Sequence, residues 1–184
     1  MSTPPSVAFL DRDGVINRKA REGQYVRSWA EFEYLPGATE AVAALKRRGI
    51  AVVVVTNQRG VARGHMTRDD VEDIHRRMCA DFERARAPLD AVFYCPHERG
   101  QCDCRKPGLG MFHAAQRALD GIDIRDAVMI GDSATDMQAA VALGVPGILI
   151  AAAGKPAPDD VPIAYRAASL QDAVAWLLGD RWRA

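Results

Sequence analysis

The stretch Ile50-Ala51-Val52-Val53-Val54-Val55 constrains the fold more than any other. It is apolar at every position and mostly β-branched, so a strand built from it presents no polar face. Such a strand needs cover on both sides, which a parallel sheet between two helix layers supplies. Val7–Leu10, Ala91–Tyr94, Ala127–Ile130 and Gly147–Ile150 are shorter runs of the same kind. Helical patterns separate the runs. Ala38 to Arg48 carries Ala41, Val42 and Leu45 on one face and is closed by Gly49. Thr67-Arg68-Asp69-Asp70 has the form of a capping box, followed by Val71, Ile74, Met78, Phe82 and Ala85 at helical spacing up to Pro88. A third helix opens at Pro107 or the next residue and runs through Arg117 and Leu119. A fourth spans Ala134 to Leu143 and stops at Gly144, and a short last one starts at Ser169. Strands alternating with helices predict an α/β fold, a doubly wound and mainly parallel sheet, with residues 1–184 as one domain. No long insert separates the motifs, so no large cap domain is expected. Lys155 to Pro162 reads as a Pro/Asp-rich loop, and the tail 180–184 is expected to fray.

Composition narrows the function classes. Lys plus Arg and Asp plus Glu both number 24, giving a formal net charge of zero, so nothing global favours nucleic acid or an anionic membrane as partner. The start Met1-Ser2-Thr3-Pro4-Pro5 lacks a basic-then-apolar export pattern, and the uncharged run around Met137 to Gly154 is broken by Gln138, Gly144, Pro146 and Gly147. The expectation is a cytoplasmic protein, acting as a monomer on a small molecule.

In such a sheet the carboxyl ends of the strands carry the ligand site. Val7–Leu10 runs straight into Asp11-Arg12-Asp13-Gly14. Side chains two apart share a face in extended chain, so Asp11 and Asp13 can face one crevice; adjacent anions call for a cation or a raised pKa. A solvated Asp-x-Asp-Gly turn is the alternative. The segment Ile16 to Trp29 is polar and basic and reads as a loop or short flap. The central strand ends in Thr56-Asn57-Gln58-Arg59-Gly60, whose hydroxyl, amides and loop N–H groups suit a phosphate or a plain polar turn. The fourth core strand ends in Gly131-Asp132-Ser133-Ala134-Thr135-Asp136, again with carboxylates. His75 is expected at the surface without a role, and Cys79 as a small helix-packing residue.

Between the third strand and its helix lies Cys95-x-His97-x4-Cys102-x-Cys104. Three thiolates and one imidazole fill a tetrahedral zinc shell and leave no position for water, so such a site is structural. A disulfide or unbound thiols are the alternatives. Arg105-Lys106-Pro107 follows at once, where a stapled loop could aim two cations at the crevice. Together these strand ends describe phosphoryl chemistry. A divalent cation, Mg²⁺, would take Asp11 and Asp132 with waters and a phosphate oxygen. Asp11 could attack phosphorus, Asp13 could protonate the leaving alkoxide and then activate water, and Thr56 with Lys106 could hold the equatorial oxygens.

The segments Asp11-x-Asp13-Gly14, Thr56 after an apolar strand, Lys106, and Gly131-Asp132-x3-Asp136 resemble the motifs of haloacid-dehalogenase-type phosphatases, over nearly the whole chain. More narrowly, Asp11 to Asn17, Thr56-Asn57-Gln58-x-Gly60-Val61-Ala62-Arg63-Gly64 and Cys104-Arg105-Lys106-Pro107 resemble the D,D-heptose 1,7-bisphosphate phosphatases. Histidinol-phosphate phosphatases share the zinc loop but usually lack Ala-Arg-Gly at 62 to 64, and they remain the alternative. The resemblance implies Mg²⁺-dependent release of the 7-phosphate of D-glycero-D-manno-heptose 1,7-bisphosphate, a step toward lipopolysaccharide or capsule precursors. It implies Asp11 as nucleophile, Asp13 as acid and base, and Thr56 and Lys106 steadying the phosphoryl group. Mg²⁺ would bind the Asp11 carboxylate, the Asp13 backbone carbonyl and the Asp132 carboxylate, with Asp136 in support. Asn57 and Gln58 would line the pocket, and Arg105 would help recognise the sugar phosphate. Two departures stand out: the zinc loop is short, and Arg59 replaces a commonly small residue, adding a charge that suits a second anionic group.

Overall fold

The computed structural model describes residues 4–151 and 161–179. Six strands form one sheet: β1 (Val7–Leu10), β2 (Ala51–Asn57), β3 (Ala91–Cys95), β4 (Ala127–Gly131), β5 (Gly147–Ile150) and β6 (Tyr165–Ala167). Every adjacent pair is parallel and the order is β3-β2-β1-β4-β5-β6. Five α-helices connect them: α1 (Ala38–Arg47), α2 (Arg68–Arg84), α3 (Gly110–Ala118), α4 (Ala134–Leu143) and α5 (Leu170–Leu178). This is the doubly wound α/β fold expected, and among the described residues no inserted element is large enough to make a cap.

The alternation of side chains along the strands divides the core in two. Ala8, Leu10, Val52, Val54, Val128, Ile130 and Ile148 pack with α1, α5 and the Met78–Phe82 end of α2. Val7, Phe9, Val53, Val55, Ala127 and Met129 pack with α3 and α4. Phe9 meets Phe112 of α3 edge to face at 4.9 Å. Both faces of β2 are therefore covered, as its β-branched sequence demands.

The caps explain where the helices begin. Thr67 and Asp70 close the capping box of α2, and Ser169 accepts from the Asp172 N–H at the start of α5. Gly144 ends α4 in the left-handed region. Two elements escaped the sequence patterns. β6 has three residues and no apolar run, and a 3-10 turn at Trp29–Glu31 closes the flap. Helix α3 begins at Gly110, later than Pro107 predicts, because residues 103–108 fold into turns against the zinc loop. The Pro/Asp-rich loop, as far as residue 160, and the tail 180–184 lie outside the described residues.

In this order the chain reverses direction across the sheet between β1 and β4. The two strands lie side by side, and their connections leave to opposite faces, which opens a crevice at their carboxyl ends. Asp11–Asp13 follow β1, Thr56 and Asn57 end β2, and Asp132 follows β4.

Candidate active site

A pocket of about 410 Å³ opens at that edge, lined by Asp11, Asp13, Lys19, Thr56, Asn57, Gln58, Arg59, Arg105, Lys106 and Ser133 among others. All four strand-end motifs thus meet. Close approach is permitted by glycine at two places. Gly14 has φ +88°, and a Cβ there would collide with the Asp132 carboxylate; at Gly131 a Cβ would overlap Asp136.

Lys106 is the hub. Its side chain is 1% exposed, and Nζ lies 3.1 Å from Asp11 Oδ1 and 2.7 Å from Asp136 Oδ1. It also donates to the Val55 carbonyl at 2.7 Å. The Asp136 contact is an ion pair without hydrogen-bond alignment. Burial works against the charge on Lys106, but Asp11 and Asp136 outweigh it and hold the ammonium above its ordinary range. The backbone of Lys106 is clamped by Asn57, whose Oδ1 accepts from the Lys106 N–H at 3.0 Å while its Nδ2 donates to the Lys106 carbonyl at 3.1 Å. Asn57, expected to line the pocket, therefore also fixes the segment that follows the zinc loop.

Asp136 is fully buried. Its Oδ2 accepts from the Ser133 N–H and hydroxyl, capping α4, while Oδ1 meets Lys106. Burial raises the Asp11 carboxyl to about 7; Lys106 opposes this, and Asp136, Asp132 and Asp13 add to it. Asp132 is likewise raised by burial, with Lys19 opposing. Lys19 reaches from the flap to place Nζ 2.7 and 3.0 Å from the two Asp132 oxygens.

The carboxylates of Asp11, Asp132 and Asp136 each offer an oxygen within 4.8 Å of the others. Three carboxylates are met here by two ammonium groups, Lys19 and Lys106. A hard divalent cation fits that oxygen set and that excess of negative charge. The side chain of Asp13 is turned to other partners.

Asp13 accepts from Arg12 Nη2 at 3.0 Å on each oxygen, from Asn17 Nδ2 at 2.9 Å and from Gln58 Nε2 at 2.8 Å. Burial opposes its charge, yet Arg12 and these donors outweigh burial and keep the carboxyl below its ordinary range. Gln58 also donates to Thr56 Oγ1 at 2.9 Å, orienting the hydroxyl at the pocket floor.

Arg12 has no solvent exposure at all. Its Nη1 donates to His75 Nε2 at 3.1 Å, and its guanidinium lies 5.9 Å from the Phe32 ring centre. His75 corrects the expectation of a surface residue: it is 7% exposed, because α2 turns it inward against Arg12 and Tyr94. Burial, with Arg12 adding, pushes its pKa from 6.5 to about 3. Arg12, Asn17, Lys19 and His75 had no assigned role from sequence. The one signal was Arg12 itself, a cation between two acids at the end of a buried strand.

In the zinc loop, Cys95 Sγ lies 3.5 Å from Cys102 Sγ, and Cys102 3.2 Å from Cys104 Sγ. His97 Nδ1 lies 3.7 Å from Cys95 and 3.3 Å from Cys104. A tetrahedron with Zn–S of about 2.3 Å and Zn–N of about 2.0 Å has edges of about 3.5–3.8 Å; two of these distances match and two are about 0.2–0.6 Å shorter, so the four donors are clustered closely enough to close on zinc. All four cysteines of the chain are free. Arg105, next to the cluster, donates to the His97 carbonyl at 3.4 Å and reaches the pocket wall. Arg59 lies 3.4 Å from Glu98 of the loop.

Residues 103–177 match the HAD-hydrolase-like family. The D-glycero-beta-D-manno-heptose-1,7-bisphosphate 7-phosphatase of Vibrio cholerae is 42% identical over 156 residues, 80% of this chain and 82% of that protein. The D-glycero-alpha-D-manno-heptose-1,7-bisphosphate 7-phosphatase of Mycobacterium bovis is 42% identical over 133 residues, 72% of this chain and 70% of that one. The crystal structure of D,D-heptose 1,7-bisphosphate phosphatase from B. bronchiseptica, complexed with magnesium and phosphate, superposes with a TM-score of 0.80 at 32% identity, covering 94% of this chain and 98% of that one. Sequence, fold and the meeting of the strand-end motifs agree: the chain belongs to the D,D-heptose 1,7-bisphosphate phosphatase family of haloacid-dehalogenase-like hydrolases.

Proposed function

We propose that this protein is a magnesium-dependent phosphatase that hydrolyses the 7-phosphate of D-glycero-D-manno-heptose 1,7-bisphosphate. The observation that carries this reading is the convergence of Asp11, Thr56 and Lys106 on one pocket of about 410 Å³, with an Asp132 carboxylate oxygen within 4.8 Å of one from Asp11. Magnesium, held by Asp11, Asp132 and the Asp13 carbonyl, would supply positive charge against the phosphoryl oxygens and mask that of the carboxylates. Asp11 attacks phosphorus and the bond from phosphorus to the sugar oxygen breaks. Asp13 gives that oxygen a proton; the arriving phosphoryl anion favours the protonated acid it needs. Asp13 then takes a proton from the water that opens the aspartyl-phosphate, which restores Asp11 and frees phosphate. Thr56 and Lys106 hold equatorial oxygens throughout, and Asp136 keeps Lys106 charged and fixed.

Arg21, Arg59, Arg99 and Arg105 ring the pocket mouth, and their charge supports a substrate with a second phosphate. Asn57 and Gln58 would orient Lys106 and Asp13 more than touch the sugar. Relatives named for both the alpha and the beta anomer occur at similar identity, so both belong in the assay. The described residues hold every proposed catalytic group, in keeping with a single catalytic domain that acts as a monomer. A thiol-rich zinc cluster suits the reducing cytoplasm. Among the described residues no helix is long and apolar enough to cross a membrane.

The test is turnover of both heptose bisphosphate anomers and histidinol phosphate with magnesium, alongside Asp11→Asn. The heptose compounds should be preferred and the variant should fold yet release no phosphate. Preference for histidinol phosphate would overturn the substrate, and turnover by Asp11→Asn would overturn the nucleophile.

A further inference from the structure

We propose that Arg12 and His75 are positioning residues: His75, on α2, fixes the Arg12 guanidinium, which in turn fixes the Asp13 carboxylate for proton transfer. The inference rests on the reading of Asp13 as acid and base.

The geometry is that of a braced clamp. Arg12 and Asp13 are neighbours in the chain, and Arg12 Nη2 sits 3.0 Å from both Asp13 oxygens, with Nε 3.3 Å from Oδ1. The guanidinium is planar and its donors are fixed relative to one another, so its orientation decides that of the carboxylate. Left to itself, a side chain can rotate about its own bonds. Here the far side of the fork, Nη1, is tied to His75 Nε2 at 3.1 Å. Arg has no acceptor, so Nε2 accepts and the ring proton sits on Nδ1. The imidazole is in turn held edge-on by Tyr94, 5.5 Å between ring centres, and the Tyr94 hydroxyl donates to Glu72 at 2.9 Å. Phe32 faces the guanidinium from another side.

A cation with no solvent exposure needs its partner for stability, and Asp13 alone would provide that charge. His75 adds none. A neutral acceptor 63 residues away along the chain orients the fork without neutralising it, and without it that guanidinium N–H would be buried and unpaired. Asn17 and Gln58 complete the grip on Asp13, and Gln58 links it to Thr56. The clamp therefore sets the acid in register with the residue proposed to hold the phosphoryl group.

Leaving-group dependence separates this role from a merely structural one. A sugar alkoxide needs the proton from Asp13 as its bond to phosphorus breaks, whereas p-nitrophenolate leaves without one. Values of kcat/KM report that first step for both heptose 1,7-bisphosphate and p-nitrophenyl phosphate. His75→Phe keeps the volume and removes the acceptor, and Arg12→Lys keeps the charge and removes the fork. In each, the ratio of kcat/KM for the heptose substrate to that for p-nitrophenyl phosphate should fall by about tenfold, a modest share of what a positioned acid contributes. His75→Gln, which restores an acceptor, should recover most of that ratio. Asp13→Asn calibrates the assay and must lower the ratio further. If Asp13→Asn lowers it while His75→Phe and Arg12→Lys do not, the positioning proposal is wrong and the acid reading stands. If Asp13→Asn leaves the ratio unchanged, the acid reading itself fails.

Discussion

Acidification from pH 8 to pH 5 should cost the wild-type protein about 2 kcal/mol more stability than it costs a His75→Gln variant. His75 is neutral in the folded state, its pKa lowered from 6.5 to about 3 by burial and by Arg12. In the unfolded chain it titrates at its ordinary value. Between those two values the unfolded state binds a proton that the folded state does not, so stability falls as pH falls. At pH 5 the medium lies 1.5 units below the ordinary value, which at about 1.36 kcal/mol per unit gives about 2 kcal/mol. The contribution is fully present above about pH 6.5 and is lost as pH drops toward 3. Asp11 acts in the opposite sense, because its carboxyl is held up to about 7 in the folded state. Asp132, also raised, acts in the same sense as Asp11, so only the difference between the two proteins isolates His75. Gln can still accept from Arg12 but does not titrate. Urea unfolding of both proteins at pH 8 and pH 5 measures the difference. Parallel pH dependences would mean that His75 is protonated when folded, and would refute its assignment as a neutral acceptor for Arg12.

Lys106→Met should destabilise the fold by about 3–5 kcal/mol, because it leaves the buried Asp136 carboxylate without its cation, and denaturant titration would show a smaller loss if that carboxylate can reach water. Elemental analysis should find one zinc per chain. Chelation should lower the melting temperature and activity together, with zinc rather than magnesium restoring both; a zinc-free protein of unchanged stability would contradict the stapled loop. Lys19→Met should tighten Mn²⁺ binding, measured by electron paramagnetic resonance without substrate, by about two- to fivefold. Lys19 and the ion share Asp132, and a half-exposed ion pair is worth under about 1 kcal/mol. Unchanged or weaker Mn²⁺ binding would show that Lys19 does not compete.

Much of the catalytic edge was legible because its signals are local. An apolar run ending in Asp-x-Asp, another ending in Thr-Asn-Gln and a third ending in Gly-Asp each place polar groups at a strand's carboxyl end, wherever that strand lies. The proposed zinc ligands Cys95, His97, Cys102 and Cys104 fall within ten residues, so their spacing alone points to a coordination shell. The capping residues Thr67 and Asp70, and Gly144, mark helix ends through backbone geometry that depends on near neighbours only. By contrast, β6 is three residues long with an exposed centre, and carries no period to detect.

The sequence by itself determined the sheet class, the order of motifs and which groups are proposed to react, since hydrophobic period and ligand spacing act over a few residues. Tertiary structure alone decided which distant groups meet: His75 under Arg12, Lys19 on Asp132, Asn57 around the Lys106 peptide. Those pairs are 63, 113 and 49 positions apart. They follow from the strand order β3-β2-β1-β4-β5-β6 and from the face that α2 turns inward. A polar residue at the surface and one buried against a charge look alike in the chain, because burial depends on what packs over them.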